Sequence, residues 1–342
     1  MKNFLKVLIA YKNSKASGPG CGPYNAGGLS ANALHSRAVL LEMGVPTHLL
    51  QADSYQDIVA YLNEHRVSHV IVEAIWMTAD QTRFLAETYP AVQFVVRSHS
   101  KMGFLQVEPE AVSTMRRIIG LSETYQNLTF SSNNSEFAAS LSEVYGETLY
   151  LPNLYDLASA PKPKEHPPRG VLKIASFGAS RLLKLHPSAA LAALQIANRL
   201  DRDLEFYVNT DRTPGGDSVR KTMCNMFAGI PRAKLIEVGW QDVDTFKETI
   251  STMDLVIQLS ATETFCLVAA DAVAGGVPVV AGPAIKWIPE QFRVDIDETE
   301  AVARMGVQML RGNRSTRVEE KALHHFVRSA KEVWHTFLKL HE

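Results

Sequence analysis

The chain has 342 residues, 46% of them hydrophobic and 21% charged, with a formal net charge of −1. That length sets two domains as the expectation, and the composition calls for a sizeable core and argues against disorder. The near-zero charge removes any general pull toward nucleic acid or membrane and leaves only a local basic face open. Cys21, Cys224 and Cys266 are scattered and odd in number, so they form neither a disulfide framework nor a metal spacing, and they point to a reducing cytoplasm. The opening MKNFLKVLIAYKNSK has an apolar run too short for a signal-peptide core or a membrane span and reads as a strand.

Residues 5–11 are the first predicted strand, followed by the glycine-rich SGPGCGPYNAGG of residues 17–28. A helix is predicted over 29–43, with Leu34, Ala38 and Leu41 on one face and Gly44 as its stop. Strands over 46–50, 69–73, 92–97, 128–131 and 148–151 alternate with helices over 56–66, 79–88, 109–119 and 135–145, a doubly wound α/β half. Residues 160–170, APKPKEHPPRG, carry four prolines and no apolar periodicity, and form the predicted interdomain linker. The second half restarts with a strand over 172–177, the loop GASRLLK, and a helix that begins at Pro187 and runs to Leu200. Strands over 204–209 and 234–238 and helices over 218–227 and 243–252 follow, and the tail over 318–340 is a long amphipathic helix.

The stretch 253–281, MDLVIQLSATETFCLVAADAVAGGVPVVA, is the organising unit. It reads as a buried strand over 255–259, a polar loop, a helix stopped by Gly275 and Gly276, and a second buried strand over 277–281. Ligands bind such sheets at the carboxyl ends of the strands. Glu263 and Asp271 lie eight residues apart, which on a helix is about 12 Å along the axis and roughly 80° in azimuth. Two acids so placed suit the two ends of one elongated ligand, and the helix N-terminus between them offers N–H groups to an anion.

In this order the features resemble the GT-B superfamily of retaining, nucleotide-sugar-dependent glycosyltransferases. The resemblance covers most of the chain and implies an α/β fold of two Rossmann-like domains facing one another across a cleft, with a C-terminal helix packing back toward the first. The expected division is an acceptor-binding domain over 1–158, a linker over 159–170, a nucleotide-sugar-binding domain over 171–315 and a C-terminal helix over 316–342. The segment Glu263-Thr264-Phe265-Cys266-Leu267 resembles the family's E-x-F-G-L, and Asp271 closes the spacing that the family closes with glutamate. By resemblance, Glu263 accepts hydrogen bonds from donor-sugar hydroxyls and Asp271 binds the ribose diol, with Thr264, Phe265, Cys266 and Leu267 along the donor. Cys266 stands where the family has glycine, and Asp271 is one methylene shorter than glutamate. The segment Gly178-Ala179-Ser180-Arg181-Leu182-Leu183-Lys184 resembles the family's G-x-x-R…K, which implies that Arg181 and Lys184 hold the donor diphosphate.

The remaining roles are also implied by resemblance. Gly27 and Gly28 would turn backbone N–H groups to the donor phosphates. His99 would face the donor sugar near the reacting carbon, donating to a hydroxyl or placing the acceptor. Trp240, after Val238-Gly239, would contact the nucleobase or serve as a core or surface aromatic. Leu151-Pro152-Asn153 is read as structural. UDP-glucose is the default donor, used as a substrate, with no cofactor and no metal. For the acceptor, Lys12, Lys15, Arg97 and Lys101, with Arg116 and Arg117, make a possible basic face on the first domain. The GASRLLKLHP and ETFCLVAADAV segments also look like glycosyltransferases of bacteriophage genomes, which keeps a hydroxymethylated pyrimidine in phage DNA open as acceptor beside glycans and small molecules. The location would then be the host cytoplasm. A catalytically inactive nucleotide-sugar-binding protein remains a second alternative and a dehydrogenase a weaker one, and the oligomeric state stays open. Asp201-x-Asp203 and Asp295-x-Asp297 fit a D-x-D metal pattern but read as solvated turns. No G-K-[ST] is present, and the G-P-G-C-G spacing does not fit a dinucleotide fingerprint.

Overall fold

The computed structural model of the chain describes residues 4–12, 27–161, 170–210, 216–312 and 316–340. Lys15, residues 17–26 of the glycine-rich loop, residues 162–169 of the linker and residues 211–215 lie outside the described residues. The described residues divide into two units: 4–12, 27–156 and 327–340 form one, and 157–161, 170–210, 216–312 and 316–326 form the other.

In the first unit β1 (Val7–Lys12), α1 (Gly28–Glu42), β2 (Thr47–Ala52), α2 (Tyr55–Glu64), β3 (His69–Glu73) and α3 (Ala79–Thr88) alternate as predicted. They continue as β4 (Gln93–Ser98), the short α4 (Met102–Leu105), α5 (Pro109–Ser122), β5 (Leu128–Ser132), α6 (Ser135–Tyr145) and β6 (Leu149–Tyr150). Local chemistry sets the helix starts. Ser54 with Asp57 and Thr78 with Gln81 form capping boxes on α2 and α3, Pro109 opens α5, and the Asn134 side chain accepts from the Phe137 N–H. The six strands are parallel, in the order β2-β1-β3-β4-β5-β6. Side chains alternate across the sheet, so Leu8, Ala10, Val70, Val72, Phe94, Val96 and Phe130 fill one buried core. On neighbouring strands Tyr11 is in register with Glu73, Glu73 with Arg97 and Arg97 with Ser131. These four make a polar row near the carboxyl ends.

The second unit carries β7 (Leu172–Ser176), α7 (His186–Leu200), β8 (Leu204–Asn209), α8 (Asp217–Phe227), β9 (Ala233–Val238) and α9 (Val243–Ile250). The organising unit follows as β10 (Leu255–Gln258), α10 (Leu267–Ala274) and β11 (Val279–Ala281). All five strands are parallel, in the order β11-β10-β7-β8-β9. The sequence reading missed α11 (Thr299–Arg311). Gly306 in its middle resembles a breaker, but a Cβ there would stand 2.5 Å from Ile196 Cδ1 and 3.0 Å from Leu255 Cδ2. Glycine is used at this point so that α11 can pack against α7.

The last helix, α12 (Arg317–Phe337), buries a stripe of Leu323, Val327, Ala330 and Trp334 at helical spacing. Residues up to Phe326 group with the second unit and those from Val327 with the first. Among the described residues no helix is long and apolar enough to cross a membrane.

Glu319, in the first turn of α12, is fully buried and accepts the edge N–H of Val279 at 3.0 Å. Burial pushes its carboxyl up to about 8, beyond what the Val279 hydrogen bond offsets. A raised acid binds its proton more tightly folded than unfolded, so its contribution is intact below about 4.5 and is lost as pH rises through about 8. Glu319→Gln mimics the neutral acid. It is expected to leave stability unchanged at pH 5 and to raise it by a few kcal/mol at pH 9, read by denaturant unfolding at both values.

Candidate active site

In the second sheet β8 and β9 extend from one side of β7, and β10 and β11 from the other. The loops after β7 and β10 therefore diverge at the carboxyl ends of two paired strands, the switch point where open α/β sheets bind ligands. The two loops are tied together: Ala261 N–H donates to Leu183 O at 2.9 Å, and Gln258 Nε2 donates to Phe177 O at 3.2 Å. Gly178 has φ +109°, a conformation that L side chains rarely adopt, and its N–H donates to Asn209 Oδ1 at 3.0 Å. The Ser180 hydroxyl donates to Asn209 O at 2.6 Å. Asn209, the last residue of β8, thus fixes both ends of the turn that presents Arg181 and Lys184. Arg181 opens a short 3₁₀ turn and accepts the Lys184 N–H at 3.0 Å.

These contacts bring Lys184 and Glu263 together as an ion pair, with side chains 14% and 13% exposed. Burial pushes the Lys184 ammonium down, but Glu263 outweighs it and holds the lysine above its ordinary range. Glu263 lies ahead of α10, whose first residue is Leu267. The helical spacing drawn between Glu263 and Asp271 therefore does not apply: half of the eight-residue interval is loop. Asp271 sits on α10, 6% exposed, so it is a buried helix acid and not a solvated one. Cys266, at φ +67°, takes the left-handed conformation directly before α10, which costs a non-glycine residue about 1 kcal/mol. Its thiol is pushed up to about 12 by burial and by Glu263, which favours the neutral form. The Phe265 ring is buried against Trp287 and Phe326, and its carbonyl accepts the Trp287 indole N–H at 2.6 Å. Thr264 is half-buried, as is Trp240, two residues past the end of β9.

Sequence reasoning passed over His186, the first residue of α7. It is fully buried, neither ring nitrogen has a hydrogen-bond partner among the described residues, and burial with Lys184 and Arg181 pushes it down to about 3. Asp201 and Asp203 both bind Arg232, at 2.6 and 2.7 Å, which accounts for the first D-x-D as an ion-paired turn.

In the first unit Gly27 caps α1 and Gly28 begins it, with nothing within 4 Å of where a Gly28 Cβ would stand. Lys12 lies 5.3 Å over the Trp76 ring, and Lys101 precedes α4. Arg116 covers the Tyr145 ring and Arg117 binds Asp80 at 3.0 Å. Arg97 corrects the expected basic face, because it is fully buried. Its Nε donates to Leu151 O at 2.9 Å, Nη1 to both Glu73 oxygens at 2.8 and 2.9 Å, and Nη2 to Pro152 O and Asn153 Oδ1, both at 2.8 Å. A guanidinium has five N–H groups, so none is left for a ligand. Leu151-Pro152-Asn153 has the structural role read from the sequence.

His99 adjoins this hub. Its Nε2 meets Glu73 Oε2, and its Nδ1 lies 3.2 Å from Asn133 Nδ2. Glu73, Asn133 and Asn153 were not read from the sequence as site residues. The signal for Glu73 was present: acid and base close the apolar runs VIVE and FVVR, whose ends fall in register on adjacent strands.

The fold is that of GT-B glycosyltransferases. Anabaena HepE in complex with UDP and glucose superposes with a TM-score of 0.67 at 14% identity, covering 99% of this chain and 100% of that one. Sucrose-phosphate synthase from Thermosynechococcus elongatus gives 0.66 at 15% identity, over 98% and 99% of the two chains. The pneumococcal O-GlcNAc transferase GtfA with UDP and GlcNAc gives 0.58 at 13% identity, over 84% and 60%. A search of curated protein sequences finds no match. The model of one family, described as family 4 glycosyltransferase in conflict systems, matches residues 134–332, which include every site residue of the second unit. With more than half of its length matched by that model, the chain belongs to the family 4 glycosyltransferases of conflict systems.

Proposed function

We propose that the chain transfers a hexose from a nucleotide sugar to an acceptor hydroxyl with retention of configuration, and that the donor is UDP-glucose. The observation that carries this reading is the Lys184–Glu263 pair at the β7/β10 switch point. It sets a cation for a diphosphate beside a carboxylate for sugar hydroxyls. Glu263 takes the hexose, Asp271 the ribose, Arg181 and Lys184 the diphosphate, and the Gly239-Trp240 corner the base. Support for the donor class comes from HepE and GtfA, whose structures hold UDP with glucose and UDP with GlcNAc.

In the proposed reaction the acceptor oxygen bonds to the anomeric carbon on the face from which the diphosphate departs. The bond from that carbon to the phosphate oxygen breaks, and a leaving-phosphate oxygen receives the acceptor proton. The protein's share is positioning and charge stabilisation of the leaving group. Arg181 and Lys184 supply that positive charge themselves, so the proposed step involves neither a metal nor a cofactor.

A second acceptor, a hydroxymethylated pyrimidine in DNA, rests only on the likeness of the GASRLLKLHP and ETFCLVAADAV segments to bacteriophage glycosyltransferases. Burial of Arg97 and the pairing of Arg117 leave it a smaller basic surface than the sequence suggested. The test is labelled UDP-glucose with a panel of glycans, lipids and hydroxymethylated DNA. Transfer to one class, with slow release of free UDP when acceptor is omitted, is the expected result. Neither transfer nor UDP release from any of several nucleotide sugars would leave a binding protein in place of an enzyme.

A further inference from the structure

We propose that Glu73 and Asn133 are positioning residues that hold His99 as a neutral ring, with its proton on Nε2 and its Nδ1 lone pair occupied. His99 then has no free lone pair with which to act as the base that takes the acceptor proton. This rests on the reading that His99 faces the transferred sugar.

The argument starts at Arg97, which can only donate. Its Nη2 lies 2.8 Å from the Asn153 side chain, so the contacting atom there is the oxygen. That same oxygen is 2.8 Å from Asn133, whose contacting atom must then be the amide nitrogen. The Asn133 nitrogen lies 3.2 Å from His99 Nδ1. An amide NH₂ offers hydrogens and no lone pair, so Nδ1 accepts. A neutral imidazole that accepts at Nδ1 carries its proton on Nε2, which faces the Glu73 carboxylate. Glu73 cannot turn away, because Arg97 Nη1 holds both of its oxygens. Four side chains, from β3, β4, the loop after β5 and the segment after β6, thus decide one tautomer.

Protonating His99 would set an Nδ1–H against the Asn133 N–H. Burial opposes the charged ring, Glu73 of β3 favours it, and Arg97 of β4 opposes it, while Tyr150 of β6 acts on Arg97; the balance holds His99 below the ordinary histidine range. Its side chain is 12% exposed. The Nε2–H is engaged by Glu73 and the Nδ1 lone pair by Asn133, so the ring offers no site to a proton. The acceptor proton must then leave by another group, in keeping with its transfer to the departing phosphate.

The experiment is long-range proton–nitrogen NMR on the full chain with labelled histidine, paired with pH profiles of kcat/KM. The expected wild-type result is an Nε2–H tautomer for His99 that does not titrate near pH 6.5, and a rate profile without a histidine ionisation. Asn133→Asp puts a carboxylate on Nδ1 and is expected to make the ring titrate near neutrality, with a matching new ionisation in kcat/KM. If that variant fails to fold, Asn133→Ala tests the same point, since it frees Nδ1 without adding charge. A proton on Nδ1 in the wild type, or Asn133 variants in which the His99 tautomer and the pH profile are unchanged, would overturn the proposal. Full turnover in His99→Ala would overturn the substrate-facing reading alone, because the NMR result does not depend on it.

Discussion

Arg181→Ala is expected to lower kcat by about 10²–10³-fold while leaving the unfolding transition where it was. The side chain is half-buried at the mouth of the 3₁₀ turn, and its backbone carbonyl, not its guanidinium, accepts the Lys184 N–H. Removing the guanidinium therefore spares the turn's hydrogen bond. What it removes, on the proposed reading, is a forked cation for a diphosphate whose charge grows as the glycosidic bond breaks. Arg181→Lys keeps the charge and loses the fork, so it should fall between wild type and alanine. Lys184→Ala is a less clean probe. It leaves Glu263, 13% exposed, without its ion-pair partner, and adds instability to lost catalysis. Initial rates of UDP release under saturating donor, with a melting curve on each variant, separate these cases. A variant that raises KM with unchanged kcat would place Arg181 in ground-state binding, and normal turnover would remove it from the donor site altogether.

The elements that carry the Lys184–Glu263 pair were legible because their information is short-range. The run 253–281 carries strand, loop, acid, helix and glycine stop in one stretch, and Gly178 to Lys184 sits between a readable strand and a readable helix. Two adjustments came from local geometry that residue spacing does not carry. Helix α10 begins at Leu267, after Glu263, because the backbone takes a left-handed step at Cys266. Helix α11 went unread, and Gly306 in its middle is a point of close packing against Ile196 of α7. The hub around Arg97 was misread for a different reason. A basic residue after an apolar run reads as a strand end entering solvent, whereas in a parallel sheet covered on both faces the last strand position is still buried. Its partners lie 24 to 56 residues away in sequence, and no local pattern announces them.

Arg97→Met is expected to destabilise the protein by about 3–5 kcal/mol. In acceptor binding the same residue would have been a surface cation, for which the cost would be within about 0.5 kcal/mol. The difference follows from what methionine leaves behind. Glu73 would remain fully buried and charged with only His99 opposite it, and the carbonyls of Leu151 and Pro152 would lose charge-assisted donors. The Trp334 ring, 5.5 Å from the guanidinium carbon, would lose its cation, although its indole N–H would keep Pro152 O at 2.8 Å. Pairing the change with Glu73→Gln removes the stranded charge and should recover part of the loss, as replacement of a whole buried pair does. Urea unfolding of the single and double variants gives the coupling directly. Arg97 is therefore also the wrong residue with which to test DNA as acceptor. If the single variant unfolds at the wild-type midpoint, the buried hub is wrong and Arg97 returns to the surface; if it unfolds early and the double variant recovers, Arg97 is a structural residue of the first sheet and no acceptor contact.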